Sequence, residues 1–181
     1  MAVESSEELG ALRESIADVL AAECDSRKLH DFVDGKNDLE ARLWRQAAEL
    51  GWLGVGIAEA HGGLGLGIEG LGVLHQELGR RLAPGPYVAT LAAAQWIEAC
   101  SDAEAKKRTL APIAAGELSV SLPATLSDAT ARLALKGSAA SGRLSAQLGS
   151  PSARLAIVPV QDEGAPAWAL VEVDGKAARL S

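Results

Sequence analysis

Cysteine is scarce in this sequence, which contains only Cys24 and Cys100 among its 181 residues. The two lie far apart, and neither belongs to a C-x-x-C pair. Disulfide-stabilised domains and zinc sites need more cysteines or closer spacing. We therefore predict that both residues are reduced thiols buried in the core.

Long apolar runs and a basic stripe are also missing. No stretch of about 18 apolar residues occurs, and the first residues include Glu4, Glu7 and Glu8 where a secretory signal would carry Lys or Arg. The net charge is −7, and residues 1–115 hold 18 acidic against 11 basic side chains. Because phosphate binding needs a basic surface, we expect no nucleic-acid partner. The sequence predicts a folded cytoplasmic protein that does not span a membrane.

Familiar catalytic and metal motifs are absent as well. No serine lies in a G-x-S-x-G elbow, and the three histidines have no partner ligands at metal-binding spacing, so we predict neither a serine nucleophile nor a metal site. Residues 65–70 satisfy G-x-G-x-x-G, but a helix-rich stretch precedes them instead of a βαβ unit. These glycines are therefore interpreted as turn and packing residues rather than a nucleotide site.

The first two thirds of the chain have a helical period. A first helix is predicted from Ser5 to about Asp25, with Ser5 and Glu8 as a capping box, and a second from Asn37 to Gly51. Residues 51–79 contain ten of the nineteen glycines, which indicates turns and close backbone approach. Three more helices are predicted: one from Gly67 or Ile68, one over residues 90–100, and one capped by Ser101 and weakened at Pro112.

After Gly116 the pattern changes to short apolar runs separated by turn residues. The predicted strands are residues 118–122, 131–135, 143–147, 154–160 and 167–173. The fold class is therefore α+β, with an all-α bundle over residues 1–116 followed by an antiparallel β domain over residues 117–181.

Several features in fixed order resemble the acyl-CoA dehydrogenase family. They are the helix over residues 43–50, Gly51-Trp52-Leu53-Gly54-Val55, the run Glu59-Ala60-His61-Gly62-Gly63-Leu64-Gly65, Glu77-Leu78-Gly79-Arg80, Pro84-Gly85-Pro86, and the helix end over residues 110–117. The resemblance covers roughly residues 38–122 by residue type and the remainder by strand pattern. It implies the N-terminal helical domain of the family and an incomplete middle β domain.

The resemblance implies a flavoprotein that acts on an acyl-CoA thioester. In the family, FAD lies between the β domain and a C-terminal helical bundle, and a Glu of that bundle removes the substrate α-proton. No residue of this chain is assigned that catalytic role. The family's flavin-contacting segment corresponds here to residues 121–128, where Leu122 and the pair Ser127-Asp128 match its pattern, so Leu122 and Ser127 are the expected cofactor-binding residues.

Two further interpretations of the resemblance stay open. The departure of residues 121–128 from the family pattern fits a non-catalytic interaction subunit of a hetero-oligomeric acyl-CoA dehydrogenase, an arrangement used for steroid and other bulky acyl chains. A flavin monooxygenase of the same fold is the third interpretation. In each case we expect a homo- or hetero-oligomer, because an isolated β domain would expose an apolar face.

Overall fold

The computed structural model describes residues 2–99, 103–123, 133–136, 139–142, 147–149, 153–162 and 165–173. Within them lie six α-helices and six β-strands. The helices are α1 (Ala2–Glu23), α2 (Ser26–Val33), α3 (Leu39–Glu49), α4 (Gly67–Arg80), α5 (Tyr87–Ala99) and α6 (Ala103–Ala114). The strands are β1 (Val120–Pro123), β2 (Leu133–Lys136), β3 (Ala139–Ser141), β4 (Gln147–Leu148), β5 (Leu155–Asp162) and β6 (Ala165–Glu172).

The start of α1 differs from the prediction. The helix begins at Ala2, so Ser5 already lies inside it and the predicted capping box with Glu8 is wrong. An N-cap residue must have non-helical backbone angles, which a residue within the helix does not have.

The sequence pattern also missed α2, which Asp25 caps by accepting a hydrogen bond from the Lys28 backbone N–H at 2.9 Å. Asn37, predicted to start the second helix, instead joins α2 to α3. Its side chain donates to the Lys28 carbonyl at 2.8 Å and accepts from the Leu39 N–H at 3.0 Å.

Helices α1, α3 and α4 share one apolar core with the first turns of α5. Its fully buried members include Ile16, Leu20, Leu39, Leu43, Trp52, Leu53 and Leu74. The buried carboxylate of Glu77 on α4 receives hydrogen bonds from both Arg13 and Arg80, each at 3.1 Å. A buried carboxylate needs such partners, and the bond from Arg13 connects α1 to α4.

The glycine-rich segment between α3 and α4 is packed closely. Gly51 has the left-handed conformation (φ 76°), which confirms its predicted role at the end of α3. A Cβ on Gly63 would lie 2.0 Å from the Ile57 carbonyl oxygen, and a Cβ on Gly70 would lie 2.6 Å from Val55 Cγ1. Because no strand precedes Gly65 and Gly67 in the described part of the chain, this segment has the turn-and-packing role that the sequence indicated.

Helices α5 and α6 lie against the sheet. α5 begins at Tyr87, before the predicted start near residue 90, and α6 contains Pro112.

The predicted cap Ser101 and the predicted buried thiol Cys100 lie outside the described residues, whereas Cys24 is buried and free, as predicted. Within the part of the chain that is described, no helix combines the length and apolar character needed to cross a membrane.

The sheet is mixed, so the prediction of a wholly antiparallel sheet is wrong, although the α+β class is confirmed. β5 pairs antiparallel with β6 along its whole length. At its other edge β5 pairs in parallel with β1, through Leu155 and Ala156, and with β2, through Val160 and Gln161. β3 and β4 add antiparallel to β2 and β1. The parallel pairs join strands that are distant in sequence. The turn residues between successive strands do not indicate such pairing.

The two faces of β5 contribute to different cores. Ile157 packs with α5 and α6, and Val120 and Leu122 of β1 join the same cluster. Val158 and Val160 belong to a cluster on the opposite face. The helix-facing core therefore crosses the predicted boundary at residue 116, and the two predicted domains share buried side chains.

Candidate functional site

A concave surface lies where the N-terminus of α5 meets the β1–β4 pair. It encloses about 180 Å³. The lining residues are Gly85, Pro86, Val88, Ala89, Leu148 and Gly149. All six have small or apolar side chains, and none can ionise, so the surface offers shape and apolar contact rather than acid–base chemistry.

Thr90 fixes the position of α5 relative to β1. Its hydroxyl donates to the Val120 carbonyl at 3.4 Å and accepts from the Val120 N–H at 3.2 Å. The side chain is fully buried, where an unpaired hydroxyl or N–H would be costly. This double contact fixes α5 against β1, the strand that pairs with β4 next to the concavity.

Gly149 allows the end of β4 to lie close to both α5 and β1. Its φ of 125° favours glycine, and a Cβ there would lie 3.1 Å from the Cα and Cβ of Ser121 and 3.4 Å from Ala89 Cβ. The preceding residue, Leu148, pairs with Leu122 of β1. The close approach of Gly149 thus places Leu148 at the rim of the concavity.

The expected cofactor-binding residue Leu122 lies one strand away from this surface. Its side chain is 8% exposed and packs in the cluster that includes Ile57, Leu110 and Ile113. A contact between Leu122 and a flavin would therefore involve its backbone rather than its side chain. Ser127, the other expected residue, lies outside the described residues together with Asp128, and its role stays a prediction.

Sequence reasoning did not identify Val88, Ala89 or Gly149 as site residues. The prolines before α5 and the glycine after β4 are visible in the sequence, but their proximity depends on the pairing of β1 with β4. That pairing joins two strands that lie more than twenty residues apart in the sequence, and residues 124–132 are among those that separate them. No local sequence pattern indicates this pairing of β1 with β4.

The size of the concavity limits what it can hold. Sites that enclose a whole cofactor or ligand usually have roughly 300–1,000 Å³. This one is smaller, and its rim residues Val88 and Leu148 are 61% and 48% exposed. The surface is open on one side, so a further wall would be needed to enclose a bound group. No group of His, Cys, Asp and Glu side chains suited to a metal occurs in the described part of the chain.

Comparison with known proteins gives both a family and related structures. The family model for the N-terminal domain of acyl-CoA dehydrogenase matches residues 6–117. Among solved structures, a variant of the Tcur3481-Tcur3483 steroid ACAD is 28% identical with a TM-score of 0.80, and the match covers 94% of this chain and 49% of that one. The ChsE4-ChsE5 complex from Mycobacterium tuberculosis is 26% identical with a TM-score of 0.71, with 93% and 47% covered.

A third structure shows the same fold at lower identity. The acyl-CoA dehydrogenase of Bacillus anthracis complexed with FAD is 21% identical with a TM-score of 0.75, and the match covers 92% of this chain and 31% of that one. No curated protein matches the sequence. The chain spans about half the length, or less, of these solved chains.

Proposed function

The chain belongs to the acyl-CoA dehydrogenase family, and we propose that it supplies part of the active site of an FAD-dependent acyl-CoA dehydrogenase. The reaction is the α,β-desaturation of an acyl-CoA thioester. The rest of the site comes from a further helical domain or from a partner chain. A bound FAD would supply the acceptor for the hydride that leaves the substrate β-carbon.

The observation that carries this proposal is the family match over residues 6–117, and the apolar concavity between α5 and β4 is the surface that we assign to the site. Removal of an α-proton from a thioester requires a base and enolate-stabilising donors held together in a dry site. In this proposal the concavity supplies one part of an apolar wall, and its lining residues include no base. In this proposal the chain orients the flavin or acyl group, and the completing domain or partner supplies the base.

A bulky acyl group is the proposed substrate class. Two similar structures above 25% identity are a steroid ACAD and the ChsE4-ChsE5 complex. Gly85, Ala89 and Gly149 add little side-chain bulk to the concavity, which leaves it open instead of forming a narrow channel. Such a surface is suited to a fused-ring acyl group that places one face against it. The proposed assembly is a cytoplasmic homo- or hetero-oligomer with another acyl-CoA dehydrogenase-like chain.

Filling the concavity tests the proposal. The chain is co-expressed with an acyl-CoA dehydrogenase-like chain that carries the C-terminal helical domain, and flavin content is measured by visible absorbance after purification. We expect flavin in the wild-type complex, and reduced flavin content or reduced turnover of a steroid acyl-CoA in the Val88→Trp variant. Val33→Trp is the matched control, because Val33 is an exposed helical valine of α2, remote in sequence from the concavity (81% exposed).

Two results would contradict the proposal. One is the absence of flavin from the wild-type complex even after FAD is added. The other is equal flavin content and equal turnover in both tryptophan variants, which would mean that the concavity faces neither flavin nor substrate.

A non-catalytic interaction subunit is the second candidate, favoured by the lack of any ionisable side chain at the concavity. In that role the chain shapes the site of a flavin-bearing partner. The two candidates differ in the location of the flavin: a structure of the complex with all flavin contacts in the partner would support the second candidate. The Val88→Trp variant would then keep its flavin but change its preference among acyl groups.

A further inference from the structure

A leucine with a strained backbone lies where the chain leaves α4. Among the residues that the structure describes, Leu82 is the one non-glycine residue with a positive φ, at 51°. Its N–H donates to the Gly79 carbonyl at 3.2 Å, and the Ala83 N–H donates to the Leu78 carbonyl at 3.0 Å. These two bonds form a Schellman motif, in which glycine usually takes the left-handed position because a Cβ there crowds the backbone. Leucine at this position therefore carries a backbone cost that glycine would avoid.

The Leu82 side chain does little to offset this cost within the chain. It is 76% exposed, whereas the neighbouring Ala83 packs against the core that α1, α3 and α4 share. A leucine stabilises a fold through the apolar area that it buries, and an exposed leucine buries little. A large apolar side chain that is both strained and exposed is a candidate for a contact outside its own chain.

Leu82 adjoins the surface that the proposed function leaves to be completed. Gly85 and Pro86, three and four residues after Leu82, line the concavity, and Val88 at its rim is 61% exposed. Because three residues span at most about 11 Å of chain, a molecule that covers the open side of the concavity comes within reach of Leu82. The glycine-rich segment lies at the opposite end of α4, a helix about 20 Å long.

An exposed cation lies beside this leucine. Arg81 forms no ion pair within the described part of the chain, whereas Arg80 bonds the buried Glu77 carboxylate at 3.1 Å. A free guanidinium next to an exposed aliphatic side chain complements a surface that combines an apolar pocket with a carboxylate. The exit from α4 thus offers one apolar and one charged contact on adjacent residues.

We propose that Leu82 is an anchor residue for the acyl-CoA dehydrogenase-like partner chain that completes the active site. The inference rests on the proposed function, and it takes a partner chain as the source of the missing wall. Leu82 enters an apolar pocket of the partner, and Arg81 pairs with an Asp or Glu at the edge of that pocket. The Schellman bonds hold the leucine in place beforehand, so little conformational entropy is lost on binding. The strain lowers the stability of the separate chain, while the side chain stabilises the complex.

Opposite effects on folding and on association test the proposal. The full chain is immobilised, a purified acyl-CoA dehydrogenase-like chain with the C-terminal helical domain is titrated, and binding is followed by biolayer interferometry. Leu82→Asn is the main variant, because asparagine tolerates the left-handed conformation. We expect its dissociation constant to rise at least about tenfold, since one aliphatic anchor is lost. The urea midpoint of the separate variant chain should equal or exceed that of the wild type.

Three control variants separate the contributions. Val33→Asn introduces the same polar residue at another exposed aliphatic position and should leave the dissociation constant unchanged. Leu82→Met keeps an unbranched apolar side chain at the strained position and should bind more tightly than Leu82→Asn. Arg81→Gln should slow association and reduce its dependence on salt, whereas Leu82→Asn should mainly speed dissociation.

Several outcomes would overturn the proposal. They are failure of the wild-type chain to bind the partner, equal affinities of Leu82→Asn and Val33→Asn, or a fall in the urea midpoint of Leu82→Asn. Self-association of the wild-type chain that Leu82→Asn abolishes would also overturn it, because the occupant would then be a second copy of this chain.

The flavin absorbance of the same complexes separates this inference from the proposed function. A flavin-loaded complex whose affinity is unchanged in Leu82→Asn would overturn the anchor role alone. A complex whose affinity depends on Leu82 but which takes up no FAD would support the anchor role and contradict the proposed function.

Discussion

At the scale of single residues, the glycines of this chain differ in how closely other atoms approach them. A Cβ on Gly63 would lie 2.0 Å from the Ile57 carbonyl oxygen, whereas a Cβ on Gly72 of α4 would meet no atom within 4 Å. The density of glycine predicted close backbone approach somewhere in residues 51–79. It could not indicate which glycine is indispensable, because the obstructing carbonyl belongs to a turn whose shape depends on packing against α5.

Alanine substitutions at these two glycines should therefore have opposite effects. Gly63→Ala should lower the free energy of unfolding by at least about 3 kcal/mol, since backbone has to move to admit the methyl group. Gly72→Ala should raise it by up to about 1 kcal/mol, because alanine is the better helix former. Urea titrations of both variants measure the difference. Equal stability of the two variants would show that the segment around Gly63 relaxes freely.

Tyr87 offers a second prediction at this scale. It is 2% exposed, its ring lies 5.5 Å from that of Trp44, and its hydroxyl has no hydrogen-bond partner among the described residues. Burial raises the pKa of the Tyr87 phenol, and the nearby Cys24 and Glu40 raise it further. An acid whose pKa is higher in the folded chain adds stability below its unfolded pKa of about 10, and that stability is lost as the pH rises above this value.

Tyr87→Phe should therefore not lower the free energy of unfolding at neutral pH, and it should reduce the loss of stability at alkaline pH. At pH 7 the free energy of unfolding should stay equal or increase, since an unpaired buried hydroxyl costs about 1–3 kcal/mol. As the pH rises above about 10, the variant should lose less stability than the wild type. Urea titrations at neutral and alkaline pH measure both effects. A clear loss of stability in Tyr87→Phe at pH 7 would mean that the hydroxyl is hydrogen-bonded in solution.

At the scale of elements, two buried threonines make different contacts through the same chemical group. The Thr90 hydroxyl joins α5 to the backbone of Val120, whereas the Thr109 hydroxyl donates to the Ala105 carbonyl of its own helix at 2.6 Å. Thr90→Val leaves the Val120 N–H buried without this partner and should cost about 1–3 kcal/mol. Thr109→Val should cost less, because the Ala105 carbonyl lies within the regular hydrogen bonding of α6. Equal losses in urea titrations would show that Thr90 does not hold the helix to the strand.

The elements also show which parts of the fold the sequence could predict. α4 and the end of α3 at Gly51 follow from apolar spacing and a glycine cap, both of which are local. α2 was missed because it is only eight residues long, although Asp25 at its start was a usable capping signal. The parallel pairing of β5 with β1 and β2 was missed because pairing direction is set by distant contacts. The concavity was missed for the same reason, because its residues come from α5 and β4, which are distant in sequence.

At the scale of the whole molecule, the helical and sheet regions are joined by shared burial. Ile157 of β5 packs in one cluster with Ile97 of α5 and Ile113 of α6. Trp96 of α5 contacts Trp168 of β6 edge to face, with ring centroids 4.6 Å apart. Two independent domains divided at residue 116 would each expose part of this apolar surface on separation. The shared buried contacts favour unfolding as one cooperative unit, since separating the helical region from the sheet would expose apolar surface on both.

A substitution in the sheet should therefore destabilise the helices. Ile157→Ala should lower the free energy of unfolding by about 3 kcal/mol, because it leaves a cavity against α5 and α6. The loss should be the same whether unfolding is followed by far-ultraviolet circular dichroism, which reports helix content, or by the near-ultraviolet tryptophan signal in a Trp44→Phe/Trp52→Phe background, where that signal comes from the Trp96–Trp168 pair. Val33→Ala, at an exposed position, should shift neither transition. If Ile157→Ala moved only the tryptophan transition, the helices would fold independently of the sheet. The surface that α5 presents to the sheet would then be exposed in the partly unfolded chain, and a partner chain would have to cover it.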